Sequence, residues 1–95
     1  MAVSTTYLAK VKMSLRVSST ALDDQIKDLI EEAKLNLTKT ADIKTFEFDT
    51  ADQLQSGAII AYVMYKWYND DKFLDAYNDL KMQMSTSSAY RPEVV

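Results

Sequence analysis

The chain of 95 residues contains no cysteine, no histidine, one glycine and one proline. The absence of cysteine excludes disulfides, thiol catalysis and zinc sites with cysteine ligands. The absence of histidine excludes a Ser-His-Asp triad and an imidazole base, and Gly57 alone cannot form a phosphate-binding loop. Average usage would give about seven glycines and five prolines. Because hairpin-rich β folds need glycine at turns with positive φ, this scarcity favours helices.

The chain also lacks long apolar runs and a net positive charge. The longest apolar run, residues 58–65, is far shorter than the ~20 residues needed to span a bilayer. The N-terminus has no signal-peptide pattern, so we expect synthesis in the cytoplasm and no membrane partner. Residues 1–22 hold three bases and no acid, whereas the remainder holds fourteen acids and eight bases. A chain of net charge -3 is a poor default binder of nucleic acid.

Two amphipathic helices are predicted in the first forty residues. The first spans residues 5–15 and begins at a cap formed by Ser4 or Thr5. The second begins near Thr20, with Asp23 as its capping partner, and carries one apolar stripe over four turns. The apolar positions are Tyr7, Leu8, Val11 and Leu15 in the first helix, and Leu22, Ile26, Leu29, Ile30, Ala33 and Leu37 in the second.

The connector after the second helix contains two phenylalanines. Phe46 and Phe48 alternate with polar residues, which predicts a short extended piece. We expect both rings to pack under the domain or into a neighbour rather than face water.

The third helix, predicted over residues 51–68, begins at a capping box of Thr50 and Gln53 and is apolar on two sides. Such a helix must be buried on both sides. It is either simply the central helix of the domain, or one of its sides faces another subunit, and the two interpretations are compatible. The first side comprises Leu54, Ala58, Ala61, Tyr65 and Tyr68. The second side, which is the candidate subunit interface, comprises Ile59, Ile60, Val63 and Trp67.

The fourth helix is predicted to begin at residues 69–71 and has an acidic side. An acid recurs every four residues at Asp71, Asp75 and Asp79, and we call these three residues the acidic stripe. The stripe is a solvated face, an acidic wall of a pore, or the partner of a basic patch such as Lys12 and Arg16 of a neighbouring copy. The apolar positions of this helix are Phe73, Leu74, Tyr77, Leu80 and Met84.

Residues 85–95 are predicted to form an extended tail beyond a helical domain of residues 1–84. Pro92 disfavours helix at the preceding residue, and disorder is the expectation for the isolated protein. The tail can become ordered on a partner by adding a strand to the edge of its sheet. The candidate docking residues are Tyr90, Arg91, Val94 and Val95.

No catalytic, metal-binding or cofactor-binding arrangement is found in the sequence. The paired carboxylates at residues 23–24 and 70–71 lie at predicted helix starts, where capping explains them. Neither pair has the spacing of a calcium loop. The sequence therefore predicts an all-α fold, a small bundle of about four helices with an extended C-terminal tail, that needs no cofactor and is not an enzyme.

The order of these features resembles a known family. The chain reads LAKVKMSLRV at residues 8–17 and LDDQIKDLIEEAK at residues 22–34. It continues with AIIAYVMYKWY at residues 58–68, LKMQMS at residues 80–85, and then Tyr90-Arg91. A short helix ending in Leu-Arg, an Asp-Asp pair, a run of Ala and Glu, and an apolar helix closing on tyrosine are typical of small head–tail connector proteins of long-tailed bacteriophages. These proteins are also called adaptors or DNA-packaging proteins.

The resemblance implies a structural protein of the virion, made in the host cytoplasm and located at the head–tail junction. It implies a ring of copies of this chain, commonly twelve, beneath the portal protein. The ring would extend the DNA channel, let double-stranded DNA pass without specific binding, and dock the next head-completion or tail protein. An acidic channel wall would repel DNA phosphates. The alternative function is a small helical regulator that binds another protein as a dimer.

Overall fold

Four helices make up most of the residues that the structure describes. The structure is a computed structural model, and it describes residues 3–40, 48 and 51–86. No β-strand occurs among these residues, so the predicted all-α bundle of about four helices is confirmed. The helices are α1 (Thr5–Leu15), α2 (Asp23–Thr40), α3 (Gln53–Tyr68) and α4 (Asp71–Ser85).

Local hydrogen bonds define the two ends of α1. Ser4 is the N-cap, as predicted, and its Oγ accepts a hydrogen bond from the Tyr7 amide at 3.1 Å. The helix ends in a Schellman motif, in which the Val17 amide donates to the Lys12 carbonyl at 3.0 Å. Arg16 occupies the left-handed position of this motif, with φ 58° and ψ 40°. Glycine is the usual residue there, because a side chain in this conformation is strained.

The start of α2 lies at Asp23, three residues after the predicted start near Thr20. The Asp23 amide donates to the Thr20 carbonyl at 3.2 Å, so Thr20 belongs to a turn that leads into the helix. Leu22 precedes the helix and is 37% exposed, which corrects its prediction as the first residue of the apolar stripe. Leu29 is half-buried. The remaining stripe residues are fully buried, as predicted: Ile26, Ile30, Ala33 and Leu37.

The capping box of α3 lies two residues later than predicted. Asp52 is the N-cap: the Gln55 amide donates to its Oδ1 at 2.9 Å, and the Asp52 amide donates to Gln55 Oε1 at 3.0 Å. The predicted box of Thr50 and Gln53 is therefore wrong, and so is the predicted helix start at Ala51. Both pairs have the same spacing. An aspartate cap also places a negative charge beside the positive end of the helix dipole.

The boundaries of α4 agree closely with the prediction. Asp70 is the N-cap, and its Oδ1 accepts a hydrogen bond from the Lys72 amide at 3.1 Å. The helix extends through Ser85, one residue beyond the predicted end of the helical domain, and Thr86 caps it. The predicted tail docking residues lie outside the described residues; they are Tyr90, Arg91, Val94 and Val95.

The core is built around α3, which packs against the other three helices and most extensively against α4. The interpretation of α3 as the central helix is thus confirmed. Over its first three turns, residues of both apolar sides are buried within one copy of the chain, among them Ala58 on the first side and Ile59 and Val63 on the second, whereas Ile60 is half-buried. This coverage is possible because α1, α2 and α4 all pack on α3. The buried residues of α3 are Gln55, Ser56, Ala58, Ile59, Ala61, Tyr62 and Val63.

Phe48 is a further part of the core. Its side chain is 4% exposed, its ring lies 5.1 Å from the Tyr7 ring, and the Lys34 ammonium lies 4.9 Å from its centroid. The expectation that this ring is tucked under the domain is confirmed. The Ala51 amide donates to the Phe48 carbonyl at 3.2 Å, and the neighbours of Phe48 in the predicted extended piece lie outside the described residues. Phe46 lies outside the described residues.

Candidate functional site

Two buried tyrosines have structural hydrogen-bond partners. The Tyr77 hydroxyl donates to Asn36 Oδ1, and the Tyr62 hydroxyl donates to the Glu32 carboxylate. Burial raises the pKa of Tyr77, and burial together with the Glu32 carboxylate raises the pKa of Tyr62. Both hydroxyls therefore stay protonated at neutral pH. They join α2 to α3 and α4 as neutral donors.

One carboxylate of each pair at the two helix starts has a structural role. Asp23 forms a salt bridge with Lys12, with 2.7 Å between Nζ and Oδ1, and Asp70 caps α4. The described residues contain no group of three carboxylates that is placed to hold a metal ion. Within the same part of the chain, every helix is too short or too polar to cross a membrane.

Five lysines of the described residues lie over aromatic rings of their own chain. Such contacts hold the ammonium group against the ring face. Much of the positive charge of the described surface is thereby partnered within the chain. The pairs, 4.9 to 5.8 Å from ammonium to ring centroid, are Lys10 with Tyr7, Lys34 with Phe48, Lys66 with Tyr62 and Tyr65, Lys72 with Phe73, and Lys81 with Tyr77.

The structure divides the predicted subunit interface between the core and the surface. Ile59 and Val63 are 0% exposed, so a partner reaches them only if the helices separate. Ile60 and Trp67 are half-buried at the edge of the core. The predicted interface therefore narrows to Ile60 and Trp67, for which it stays a prediction.

The acidic stripe of Asp71, Asp75 and Asp79 lies on one exposed side of α4, opposite the buried side of that helix. No lysine or arginine of the described residues lies within salt-bridge distance of the three carboxylates. Met82, three residues after Asp79, lies on the same side and is 66% exposed. The outer side of α4 thus combines unpaired acids with one large apolar side chain.

A surface groove of about 590 Å³ lies where the C-terminal ends of α1 and α3 meet the start of α4. We call it the Arg16 groove. Tyr68 links the three elements around the groove. Its hydroxyl donates to the Leu15 carbonyl at 3.0 Å, and its ring lies 5.9 Å from the Phe73 ring. The lining residues are Ser14 and Arg16 at the end of α1, Met64 and Tyr68 in α3, and Asp70, Lys72 and Phe73 at the start of α4.

The charges in the Arg16 groove are unevenly paired. Lys72 lies 3.9 Å from Asp70. The exposed guanidinium of Arg16, in contrast, has no carboxylate within salt-bridge distance among the described residues. Lys12, which the sequence grouped with Arg16 in one basic patch, is paired with Asp23. Arg16 is therefore the cation of this patch that remains available to a partner.

A second groove, of about 370 Å³, lies between α1 and the start of α2. Its lining is mainly apolar and includes Leu8, Ala9 and Val17. Met13 forms part of its rim and is 80% exposed. The salt bridge between Lys12 and Asp23 lies at its edge.

Comparison with known proteins identifies the family. Residues 5–91 match the phage gp6-like head-tail connector proteins, a range that starts with α1 and runs beyond α4 to include Tyr90 and Arg91. The chain belongs to this family. No curated protein and no solved structure matches the chain. The connector is thus a structural protein of the phage particle, and its family membership implies contacts with other head or tail proteins.

Two surface features of this connector were missed by sequence reasoning. The first is the Arg16 groove, which exists only because the ends of three helices meet. The second is the exposure of Met82, for which a signal was present. Met82 follows Asp79 by three residues, and residues three apart on a helix share a side. This spacing separates Met82 from the apolar stripe that ends at Met84.

Proposed function

We propose that this connector assembles as a ring beneath the portal, extends the DNA channel and docks the next head-completion or tail protein. The observation that carries the proposal is the family match over residues 5–91. By the same family resemblance, the ring in the virion has twelve copies. The protein acts at the head–tail junction without enzymatic turnover, after synthesis in the host cytoplasm.

The burial pattern supports assembly through a limited surface. Seven residues in the first three turns of α3 are buried within one chain, so this part of the core forms without a partner. Ile60 and Trp67 lie half-buried beside that core. They share a side of α3 with Met64, from which they lie four and three residues away. The narrowed interface therefore adjoins the Arg16 groove.

The charge distribution supports passage of DNA without specific binding. The net charge is -3, and affinity for phosphates comes mainly from Lys and Arg. All three residues of the acidic stripe are exposed, as they must be either to face a channel or to contact a neighbour. Reversing the charges of Asp71, Asp75 and Asp79 to Lys tests the channel role. Packaging and ejection at the wild-type rate would exclude it.

Native mass spectrometry of the purified chain, alone and with the portal protein of the same genome, tests the ring. We expect either a closed ring of the chain alone or a defined number of copies bound to the portal. A stable dimer that ignores the portal would contradict the proposal and favour the dimeric regulator.

A matched pair of variants tests the narrowed interface in the same measurement. Trp67→Glu places a charge in the proposed contact, so the variant should stay helical by circular dichroism and lose assembly. Leu35→Glu places the same charge on α2 at a side chain that is 55% exposed, and it should assemble normally. Equal assembly of the two variants would remove Trp67 from the interface.

A further inference from the structure

The backbone at Arg16 is the first of three observations that point to one contact. Its left-handed conformation, φ 58°, is one that glycine adopts without strain and other residues adopt at a cost. The Arg16 side chain is exposed and has no carboxylate partner among the described residues. Strained backbone positions cluster at functional sites, and this one carries a cation that has no carboxylate partner among the described residues.

The floor of the Arg16 groove is the second observation. Met64, Tyr68 and Phe73 line it, and the Tyr68 side chain is 48% exposed. A sulfur or methyl group packs well on such aromatic rings. Because Lys72 is already near Asp70, the groove is suited to a carboxylate at Arg16 with an apolar side chain beside it.

The outer side of α4 is the third observation, and it offers carboxylates with an apolar side chain beside them. Asp75, Asp79 and Met82 follow one another at steps of four and three residues, so they share one side. All three are exposed, Met82 to 66%. A large apolar side chain in this position fits a surface that another protein covers better than a wall facing water and DNA.

We propose that the Arg16 groove of one copy receives the outer side of α4 of a second copy. The Arg16 guanidinium lies against Asp75 and Asp79, and Met82 lies on the aromatic floor. On one copy, the groove edge at Lys72 and the side chain of Met82 are separated by ten residues of α4, or about 15 Å. The two surfaces share no residue, although Asp75 follows Lys72 by only three residues, or about 4.5 Å along the helix axis. Such a head-to-tail contact repeats around a ring. The inference rests on the proposed function, because it assigns a contact within that ring.

Sedimentation velocity over a concentration series up to about 1 mM tests the contact on the full chain. Arg16→Glu places three acids together, and Asp75→Lys with Asp79→Lys places three bases together. Each of these two variants should associate at least about tenfold more weakly than the wild type, because like charges at an interface are strongly repulsive. Raising the salt concentration should also weaken the wild-type association.

Two control variants change the net charge by the same amount elsewhere. Lys39→Glu matches Arg16→Glu, and Asp28→Lys with Glu31→Lys matches the α4 double variant. All three control positions are exposed on α2. The controls should associate as the wild type does. Controls that lose association to the same extent would show an effect of net charge alone and would overturn the proposal.

Mixing the two interface variants gives the sharpest result. The glutamate introduced at position 16 of one chain then meets the lysines introduced in the other, while the native Arg16 meets native Asp75 and Asp79. The mixture should regain association that neither variant shows alone, in species larger than a dimer. Failure of the mixture to recover, or recovery only to a dimer, would overturn the head-to-tail contact.

Arg16→Gly separates this role from folding. Glycine relieves the left-handed backbone and removes the guanidinium, so the melting temperature should rise while association weakens. Unchanged association would overturn the proposal. A wild-type chain that stays monomeric alone and yet forms a ring on the portal would overturn the contact and leave the proposed function standing. Absence of a ring in both conditions would defeat the proposed function as well.

Discussion

Ile59 and Ile60 are adjacent in α3, and the structure assigns them opposite environments. Ile59 is 0% exposed in the core, whereas Ile60 is half-buried. Replacing each by alanine removes the same atoms from the same helix, and the change in helix propensity is also the same. The difference in stability between the two variants therefore measures burial alone.

The expected loss for Ile59→Ala is that of a buried aliphatic side chain. Truncation of a fully buried isoleucine costs about 2–5 kcal/mol, because transfer free energy is lost and a cavity remains. We expect about 3 kcal/mol here, since α1, α2 and α4 all pack on α3 and hinder collapse of the cavity. For a domain of this size, that loss lowers the melting temperature by about 12–24 °C. Ile60→Ala should cost about 1 kcal/mol, the centre of the distribution for point substitutions.

Urea denaturation followed by circular dichroism gives both values, together with m, the dependence of stability on urea concentration. Unchanged m identifies a real stability change rather than a change in the denatured state. The measurement is made at a concentration where the chain is monomeric, so that subunit contacts add nothing. The reasoning is refuted if the two losses are equal, or if Ile59→Ala costs less than about 1 kcal/mol. Either result would contradict the difference in burial between Ile59 and Ile60.

Three further predictions concern local contacts. Gly57→Ala should be neutral or raise stability by up to about 1 kcal/mol through helix propensity, since the added Cβ would lie 3.4 Å from Leu80 Cδ1; a loss measured by thermal melting would show that Leu80 cannot adjust. Asp52→Ala should cost about 1 kcal/mol in the same assay by removing the cap of α3, and no loss would mean that the box adds nothing. Burial raises the pKa of Tyr77. Unfolding therefore releases its proton above pH ~10, and stability should fall as pH rises, by at most about 1.4 kcal/mol per pH unit. Tyr77→Phe should reduce this slope, and an unchanged slope would count against the assignment.

The helices were predictable because their signals are local. The cap at Ser4 and the apolar stripes of α1 and α2 need only spacing and residue type. The start of α3 was not predictable in this way, because the sequence offers two capping pairs of the same spacing within six residues. These pairs are residues 50 and 53, and residues 52 and 55. Local rules permit both pairs. The choice between them depends on where packing lets the helix begin.

The surfaces were less predictable, because they depend on tertiary packing. The sequence showed that α3 is apolar on two sides, but not that three helices of the same chain would cover Ile59 and Val63. It showed Arg16 as a base, but residue type alone does not give its left-handed backbone. The Arg16 groove requires residues 14–16, 64–68 and 70–73 to meet. The acidic stripe was predictable, since four-residue spacing places its members on one side of a helix and aspartates are mostly exposed.

A core that forms within one copy separates folding from the proposed assembly. If α3 had needed a neighbour to cover Ile59 and Val63, each variant that weakened assembly would also have destabilised the fold. The residues proposed for the contact between copies, Arg16, Asp75 and Met82, are instead exposed, and exposed substitutions usually change stability by less than about 0.5 kcal/mol. Substitutions that test the proposed assembly should therefore leave the helical bundle folded. If both variants are folded before they are mixed, association that is recovered in the mixture reports the contact between copies and not refolding.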